Sequence, residues 1–535
     1  MTSRATAWLS GKFRRIADRS GCGPLARGSR LARPALEILE GRKLLSDASA
    51  FWSFASAPKL HPAKLNLLTR KPGASLDRIF VAPYAASSNS GAAVGQTGPL
   101  IADATGNPIW YQPVSNKYSP QVLGFRAQTL FGRPVLTWWQ GTLVGSTSAK
   151  LPPGTAVSGE FVIANQHYQK IRTIPAPQGV GLDLHELLLT PQGHAYFITN
   201  RTVRADLTAY GGSKQGTYLD PVVRELDLRT GKTVFTLDVA KHVPLGDSVV
   251  PATAGKTWDP YHLNSVDVSP DGSQVLVSAR NTWGIYDVSH TTGNLLWQLG
   301  GKENQFHLPS SLVTGPFGSA FQYQHDARFV PGGISLYDNA GAGSPPYGGP
   351  YGASRGLTLN LDLQNHAASL ASPPDVHDPA LFSNSQGNLQ NLANGHVLIG
   401  SGLNARPGGG IGSHVTEYSR SGSVLADYLL DGQQISYRAF SLPWAGLPLT
   451  KPSVAGASAN GRTTVYASWN GSTETQSWEL LAGPSRASLS QVSITPRSGF
   501  ETAIATTAAG PFFEVKALDA GGNTLNTSAV IRVRG

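Results

Sequence analysis

The chain has 535 residues, more than one compact core is expected to hold, so two or more domains are predicted. Its 60 Gly and 37 Pro favour short strands joined by tight turns over long helices, and a 40% apolar share excludes a disordered chain. Of the net charge of +10, residues 1–50 carry +6 and the other 485 only +4, which speaks against a nucleic-acid partner. The single cysteine, Cys22, excludes an intrachain disulfide and a C-x-x-C site, and no apolar run is long enough for a transmembrane helix.

Residues 1–50 read as a basic leader, expected to be disordered, without the continuous apolar region of an ordinary secretory signal. Its stretch Leu36-Glu37-Ile38-Leu39-Glu40-Gly41-Arg42-Lys43-Leu44-Leu45-Ser46 resembles a short sorting box found near the N-terminus of some secreted bacterial surface proteins. Gly41 departs from that box, and one turn of amphipathic helix is the alternative reading. The resemblance implies a secreted or cell-surface bacterial protein. Residues 51–77 are expected to be a linker.

From about residue 78 the chain becomes a series of paired apolar runs around turn residues. Ile109-Trp110-Tyr111 follows Asp103 and Gly106, and Val135–Trp139 follows Arg126–Thr129 and Gly132. Ala195–Thr199 follows His185–Leu189 and Gly193, and Gln274–Val277 follows His262–Val268 and Asp271-Gly272. Ile334–Tyr337 follows His325–Val330 and Gly332-Gly333, and His396–Ile399 follows Leu389–Leu392 and Asn394-Gly395. Asp-Gly and Asn-Gly between apolar runs are strong hairpin signals, because both residues tolerate the positive φ of a two-residue turn. A second hairpin recurs after several of these, at Arg224–Val234, Gly284–Trp297 and Val415–Leu425. Two hairpins per repeat make four strands per unit, the pattern of a β-propeller over residues 78–449. A small polar linker is expected over 450–461. The strands Thr464–Trp469, Ser477–Ala482, Phe500–Thr506, Phe512–Ala517 and Ala529–Val533 then predict a small immunoglobulin- or fibronectin III-like β-sandwich over 462–535.

His185, His262 and His325 each stand at the start of a first strand in equivalent hairpins. Residues equidistant from a turn lie side by side across a hairpin. His262 is nine residues before Asp271 and Arg280 nine after it, so the two are expected to be neighbours. The same count pairs His185 with Arg201 about Gly193, and His325 with Asn339 about Gly332. The three imidazoles should therefore converge at one mouth of the central channel. Imidazoles with Arg and few carboxylates suit a sulfate or phosphate group, since guanidinium offers a charged planar fork and neutral imidazole a nucleophile or proton shuttle. Zinc held by three His, with Asp326 and Asp267 as further ligands or supports, is the rival, and the adjacent cationic Arg280 counts against it. A purely structural role is the third reading for any one histidine alone.

At Asp183-Leu184-His185-Glu186, at His262-Leu263-Asn264-Ser265 with Ala279-Arg280-Asn281, and at Gln324-His325-Asp326-Ala327 with Asp338-Asn339, the chain resembles the PAPS-independent arylsulfotransferases. Ser385-Gln386-Gly387-Asn388 and Ser436-Tyr437-Arg438-Ala439 look like the closing repeat. The resemblance spans about residues 78–448 and implies a six-bladed propeller. It also implies ping-pong transfer of a sulfuryl group from an aryl sulfate to a phenol, with no cofactor, nucleotide or metal. By position it makes His325 the nucleophile that forms a sulfohistidine. His262 and Arg280 would hold sulfuryl oxygens, His185 would assist the phenolic proton, and Asn264, Arg201 and Asn339 would line the substrate site. The well-known members carry an N-terminal sandwich and a disulfide, whereas here the sandwich is expected at the C-terminus and Cys22 is alone. Two other functions remain open on the same scaffold: a non-catalytic surface propeller that binds glycans or polyanions, and a metal-dependent lyase or hydrolase. Nothing in the sequence sets an oligomeric state.

Overall fold

Phe131 and Gly132 both have positive φ, 51° and 73°, the two-residue geometry that follows the natural twist of the strands it joins. They connect Gln121–Leu130 to Arg133–Leu143, with Leu130 opposite Arg133. This hairpin opens a sheet completed by Ala156–Ala164 and Lys170–Pro175. In the computed structural model, which describes residues 50–85, 95–114, 121–143, 151–152, 155–313, 315–340, 353–371, 382–405, 411–430 and 433–534, the chain is all-β with many sheets. The basic leader, Cys22 and the sorting-box stretch lie outside the described residues.

Three more sheets follow in the same consecutive order. They open with Gly181–Leu189, Leu263–Val268 and His325–Val330 as first strands, and end with Lys232–Asp238, Leu295–Leu299 and Ala367–Leu370. Glu225 ties the first two of these together, accepting from His194 Nδ1 and His290 Nε2 at 2.6 Å each. A fifth sheet runs Asn388–Asn391, Val397–Gly400, Ile411–Tyr418, Val424–Leu430 and then Leu65–Arg70. Leu65–Arg70 falls in the expected linker of 51–77. It is instead an outer strand, Leu65 opposite Leu430, because Leu65 can bury its side chain in the core beneath that sheet. A sixth sheet joins the two ends of the repeat array, placing Ala439–Leu442 beside Arg78–Val81, then Leu100–Ala102 and Pro108–Tyr111.

The first strands of the six sheets contact one another in a closed cycle. From Gln121–Leu130 each touches the next as far as Asn388–Asn391, Ala439–Leu442 touches Gln121–Leu130, and hydrogen bonds join Asn388–Asn391 to Ala439–Leu442. Between the last two, Asn388 accepts from Ala439 N at 2.9 Å and donates to Ala439 O at 2.8 Å, and Gln390 does the same with Ser441. Side-chain amides there take the place of a continuous ladder. Packing between sheets is aromatic where the chain permits. The indole of Trp139 is fully buried, and a Cβ at Gly159 would lie 2.4 Å from it, so glycine makes the room it occupies.

Residues beyond 450 form two further sheets that share one core of Val465, Trp478, Leu480, Ile504, Phe513 and Val515. The expected linker of 450–461 contains a strand, Ser453–Ala459, paired with Arg462–Ser468. Its small residues lie at a sheet edge and bury little, which is why they read as linker. Asn470 docks this part on the sixth sheet, exchanging hydrogen bonds with Tyr111 N and O at 2.9 Å each. Among the described residues no helix is long and apolar enough to cross a membrane.

Candidate active site

Register breaks fall at one end of four consecutive first strands, between Leu123 and Arg126, Leu182 and Leu187, Leu263 and Ser265, and His325 and Arg328. Bulges like these re-aim side chains that a regular strand would send along its two faces. Backbone at positive φ marks the same places, 52° at His262 and 59° at Asp326. The result gathers the three imidazoles. The His185 and His262 rings meet edge-on at 4.9 Å, and Tyr437 packs edge-on against both His185 (5.6 Å) and His325 (6.4 Å).

The three histidines differ in what holds Nδ1. His185 Nδ1 donates to Asp183 at 2.7 Å, and His262 Nδ1 to Asp259 at 2.6 Å. Each carboxylate also accepts the backbone N–H of its own histidine. His325, which is buried, is paired with an amide, its Nδ1 lying 2.7 Å from Asn339 Oδ1. The amide nitrogen of Asn339 donates to Ser383 O at 3.1 Å and Gln386 O at 3.0 Å, so Oδ1 is the atom that faces the ring. An amide oxygen only accepts, so the network assigns the proton of His325 to Nδ1 and the lone pair to Nε2. That lone pair receives the backbone N–H of Gln386 at 3.1 Å.

Burial, then the charge of Arg280, hold His325 well below the ordinary imidazole pKa against the opposing Asn339 bond, so the ring is neutral near pH 7. Burial also lowers the Arg280 pKa; its guanidinium lies 4.5 Å over the Tyr323 ring and donates to Asn281 Oδ1 at 2.9 Å. Burial pushes the Asp183 carboxyl up, but the His185 charge and hydrogen bonds outweigh it and the carboxyl sits below its usual range.

Next to the imidazoles lies a buried charged hub. Glu186, 1% exposed, accepts from Arg126 (2.8 Å), Arg328 (2.5 Å) and Arg438 (3.1 Å). Asp326 pairs with Arg328 at 2.6 Å and Arg438 at 3.2 Å. Glu186 and Asp326 directly follow His185 and His325 in the sequence. Burial raises the Glu186 carboxyl, and the three guanidiniums bring it down to about 2.

The structure brings His185, His262, His325, Arg280 and Asn339 together, with Asn264 beside them. Arg280 N donates to His262 O at 3.0 Å, as the count about Asp271 expects. Asn264 is fully buried, donates to Gln324 O at 2.6 Å, and its Oδ1 has no hydrogen-bond partner among the described residues. Asn339 lies two residues past the cross-strand partner of His325, Tyr337, and reaches the ring through its side chain. The expected pairing of His185 with Arg201 does not form. The bulge between Leu182 and Leu187 shifts the register, and Arg201 binds Asp220 and, at 2.7 Å, Asp238 instead. Two carboxylates neutralise its charge, which removes Arg201 from the set facing the imidazoles. Sequence reasoning missed Asp183 and Asp259, although each stands two or three residues before its histidine, and missed Tyr437 and Gln386 as neighbours of the site. Among the described residues no group of three or more His, Cys, Asp or Glu is arranged to hold a metal ion.

The chain is all-β, and the imidazole–guanidinium cluster around the buried His325 has the donors that suit an oxyanion. The family model for Arylsulfotransferase (ASST) matches residues 126–425, more than half of the chain, and the protein belongs to that family. No curated protein matches the chain. Among solved structures it is similar to the hydrazine synthase of Kuenenia stuttgartiensis at 9% identity and TM-score 0.26, over 65% of this chain and 65% of that one. It is also similar to a functionally unknown protein of Desulfotomaculum acetoxidans (11% identity, 67% and 87% of the chains, TM-score 0.32) and a protein of Lactobacillus plantarum (12%, 80% and 100%, 0.32).

Proposed function

We propose that the six cyclically packed sheets are the blades of a six-bladed β-propeller, with a C-terminal accessory sandwich. In this reading the chain moves a sulfuryl group from an aryl sulfate to a phenol through a sulfohistidine at His325. The observation that carries the reading is the difference between the three imidazoles. His185 and His262 rest on carboxylates, while His325 rests on an amide, is kept neutral by burial and the charge of Arg280, and offers Nε2. The family match supports the same reaction class.

The Nε2 lone pair of His325 forms an N–S bond while the S–O bond to the aryl group breaks and its electron pair leaves on the phenolate. His185 supplies the phenolic proton. In the second half the acceptor phenol gives its proton to His185, its oxygen bonds sulfur, and the N–S electron pair returns to Nε2. Asn339 Oδ1 accepts from Nδ1–H throughout and steadies the charge on the sulfated ring. Arg280 and His262 hold the sulfuryl oxygens, and a fixed donor of this kind typically contributes about 10²–10³-fold in rate. The leader resemblance supports secretion or a cell-surface location. The test is aryl sulfate turnover with and without a phenol acceptor. Phenol release should rise with acceptor and vanish in His325→Ala; undiminished release in that variant would contradict the reading.

A further inference from the structure

The lone pair that would attack sulfur is occupied: the Gln386 N–H donates to His325 Nε2 at 3.1 Å. The turn that presents it is firmly held. Gln386 has φ 70° and Gly387 φ 93°, both in the left-handed region, and the Gln386 N–H is the one aimed at the site. Gln386 O accepts from Asn339, its side-chain Oε1 accepts from Tyr84 OH at 2.9 Å, and Gly387 N donates to Tyr437 O at 3.0 Å. A Cβ at Gly387 would lie 2.5 Å from the Tyr337 ring, and one at Gly402 would lie 2.5 Å from Gly387 N, so the turn has no room to swing away. A backbone donor fixed at the nucleophile cannot remain on the lone pair once that pair bonds sulfur. The nearest acceptors are then the sulfuryl oxygens carried by the same nitrogen.

We propose that the Gln386 backbone N–H is a sulfuryl-oxygen donor of this site. It caps Nε2 in the resting protein and passes to a sulfuryl oxygen as the N–S bond forms. The inference rests on the sulfuryl-transfer reading for its reaction, but anion binding tests it separately. The amide at 386 is replaced by an ester, using the α-hydroxy analogue of glutamine, which removes the N–H and keeps the side chain. Sulfate affinity is measured by calorimetry, and His325 adduct formation from an aryl sulfate by rapid quench. The ester protein should bind sulfate about ten- to hundred-fold more weakly and form the adduct about 10²–10³-fold more slowly. A mere cap predicts the opposite, a freed lone pair with adduct formation as fast or faster, and that result or unchanged sulfate affinity overturns the proposal. Should the ester protein not fold, the unaltered protein decides. With isotope-labelled glutamine, the Gln386 amide signal, assigned by its loss in Gln386→Glu, should move on sulfate addition; a signal that stays in place overturns the proposal. If the unaltered protein forms no adduct with any aryl sulfate, the transfer reading falls alone, and sulfate affinity and the amide signal still decide the role of Gln386.

Discussion

Asp183→Asn removes a charge and almost nothing else. Asp183 Oδ1 accepts both the backbone N–H and Nδ1–H of His185, and Oδ2 accepts from Asn200 Nδ2 at 2.9 Å. The new amide keeps Oδ1 in place, and Asn200 can turn its own oxygen toward the new NH₂. What is lost is the attraction between the carboxylate and a protonated His185. At a charge separation near 4 Å and an effective dielectric of about 20, that attraction is about 4 kcal/mol. In the proposed mechanism, proton delivery from His185 to the departing phenolate should therefore weaken in the variant. The assay is phenol release from aryl sulfates of graded leaving-group acidity. Esters of weakly acidic phenols should slow by about ten-fold or more, while esters of strongly acidic phenols, which leave without a proton, change little. Equal slowing across the series, or no slowing at all, refutes the assignment of His185 to the phenolic proton.

The acid limb belongs to His325. Burial and Arg280 keep that ring neutral to well below pH 6.5, so the limb should lie well below 6.5, and Arg280→Gln should move it upward while raising KM for the donor. A wild-type limb at or above 6.5 would contradict the neutral nucleophile. Glu186 is held at about 2 against an ordinary 4.5, so its contribution is present above pH 4.5 and lost as pH falls toward 2. The difference corresponds to about 3 kcal/mol. Glu186→Gln should cost about 3–5 kcal/mol in urea unfolding, since three buried guanidiniums lose their shared partner. A loss below about 1 kcal/mol would show that the hub is balanced elsewhere.

Turn chemistry made most hairpins legible, because Asp271-Gly272, Asn394-Gly395 and Gly132 mark turns that the fold uses. The His262–Arg280 neighbourhood was legible for the same reason: only a one-residue irregularity, between Leu263 and Ser265, separates that turn from the mouth. Three extra residues between Leu182 and Leu187 defeat the same count for His185 and Arg201, and nothing local in Asp183–Glu186 announces a bulge. Leu65–Arg70 was hidden because its partner, Val424–Leu430, is more than 350 residues away and no turn links them. Asp183 and Asp259 escaped notice because the cross-strand count looks only at partners over the turn, whereas these carboxylates belong to the histidines' own approach segments. Gln386 could not be found from its side chain, since it is the backbone N–H that reaches His325.

In the proposed mechanism His325 carries the sulfuryl group between donor and acceptor. Rapid mixing with an aryl sulfate in the absence of phenol, acid- or base-matched quenching and peptide mass mapping test it most directly. The expected result is a burst of one phenol per protein and a sulfuryl adduct on the peptide containing His325, discharged when a phenol is added. Steady phenol release with no adduct on that peptide, or an adduct that added phenol does not discharge, would contradict it.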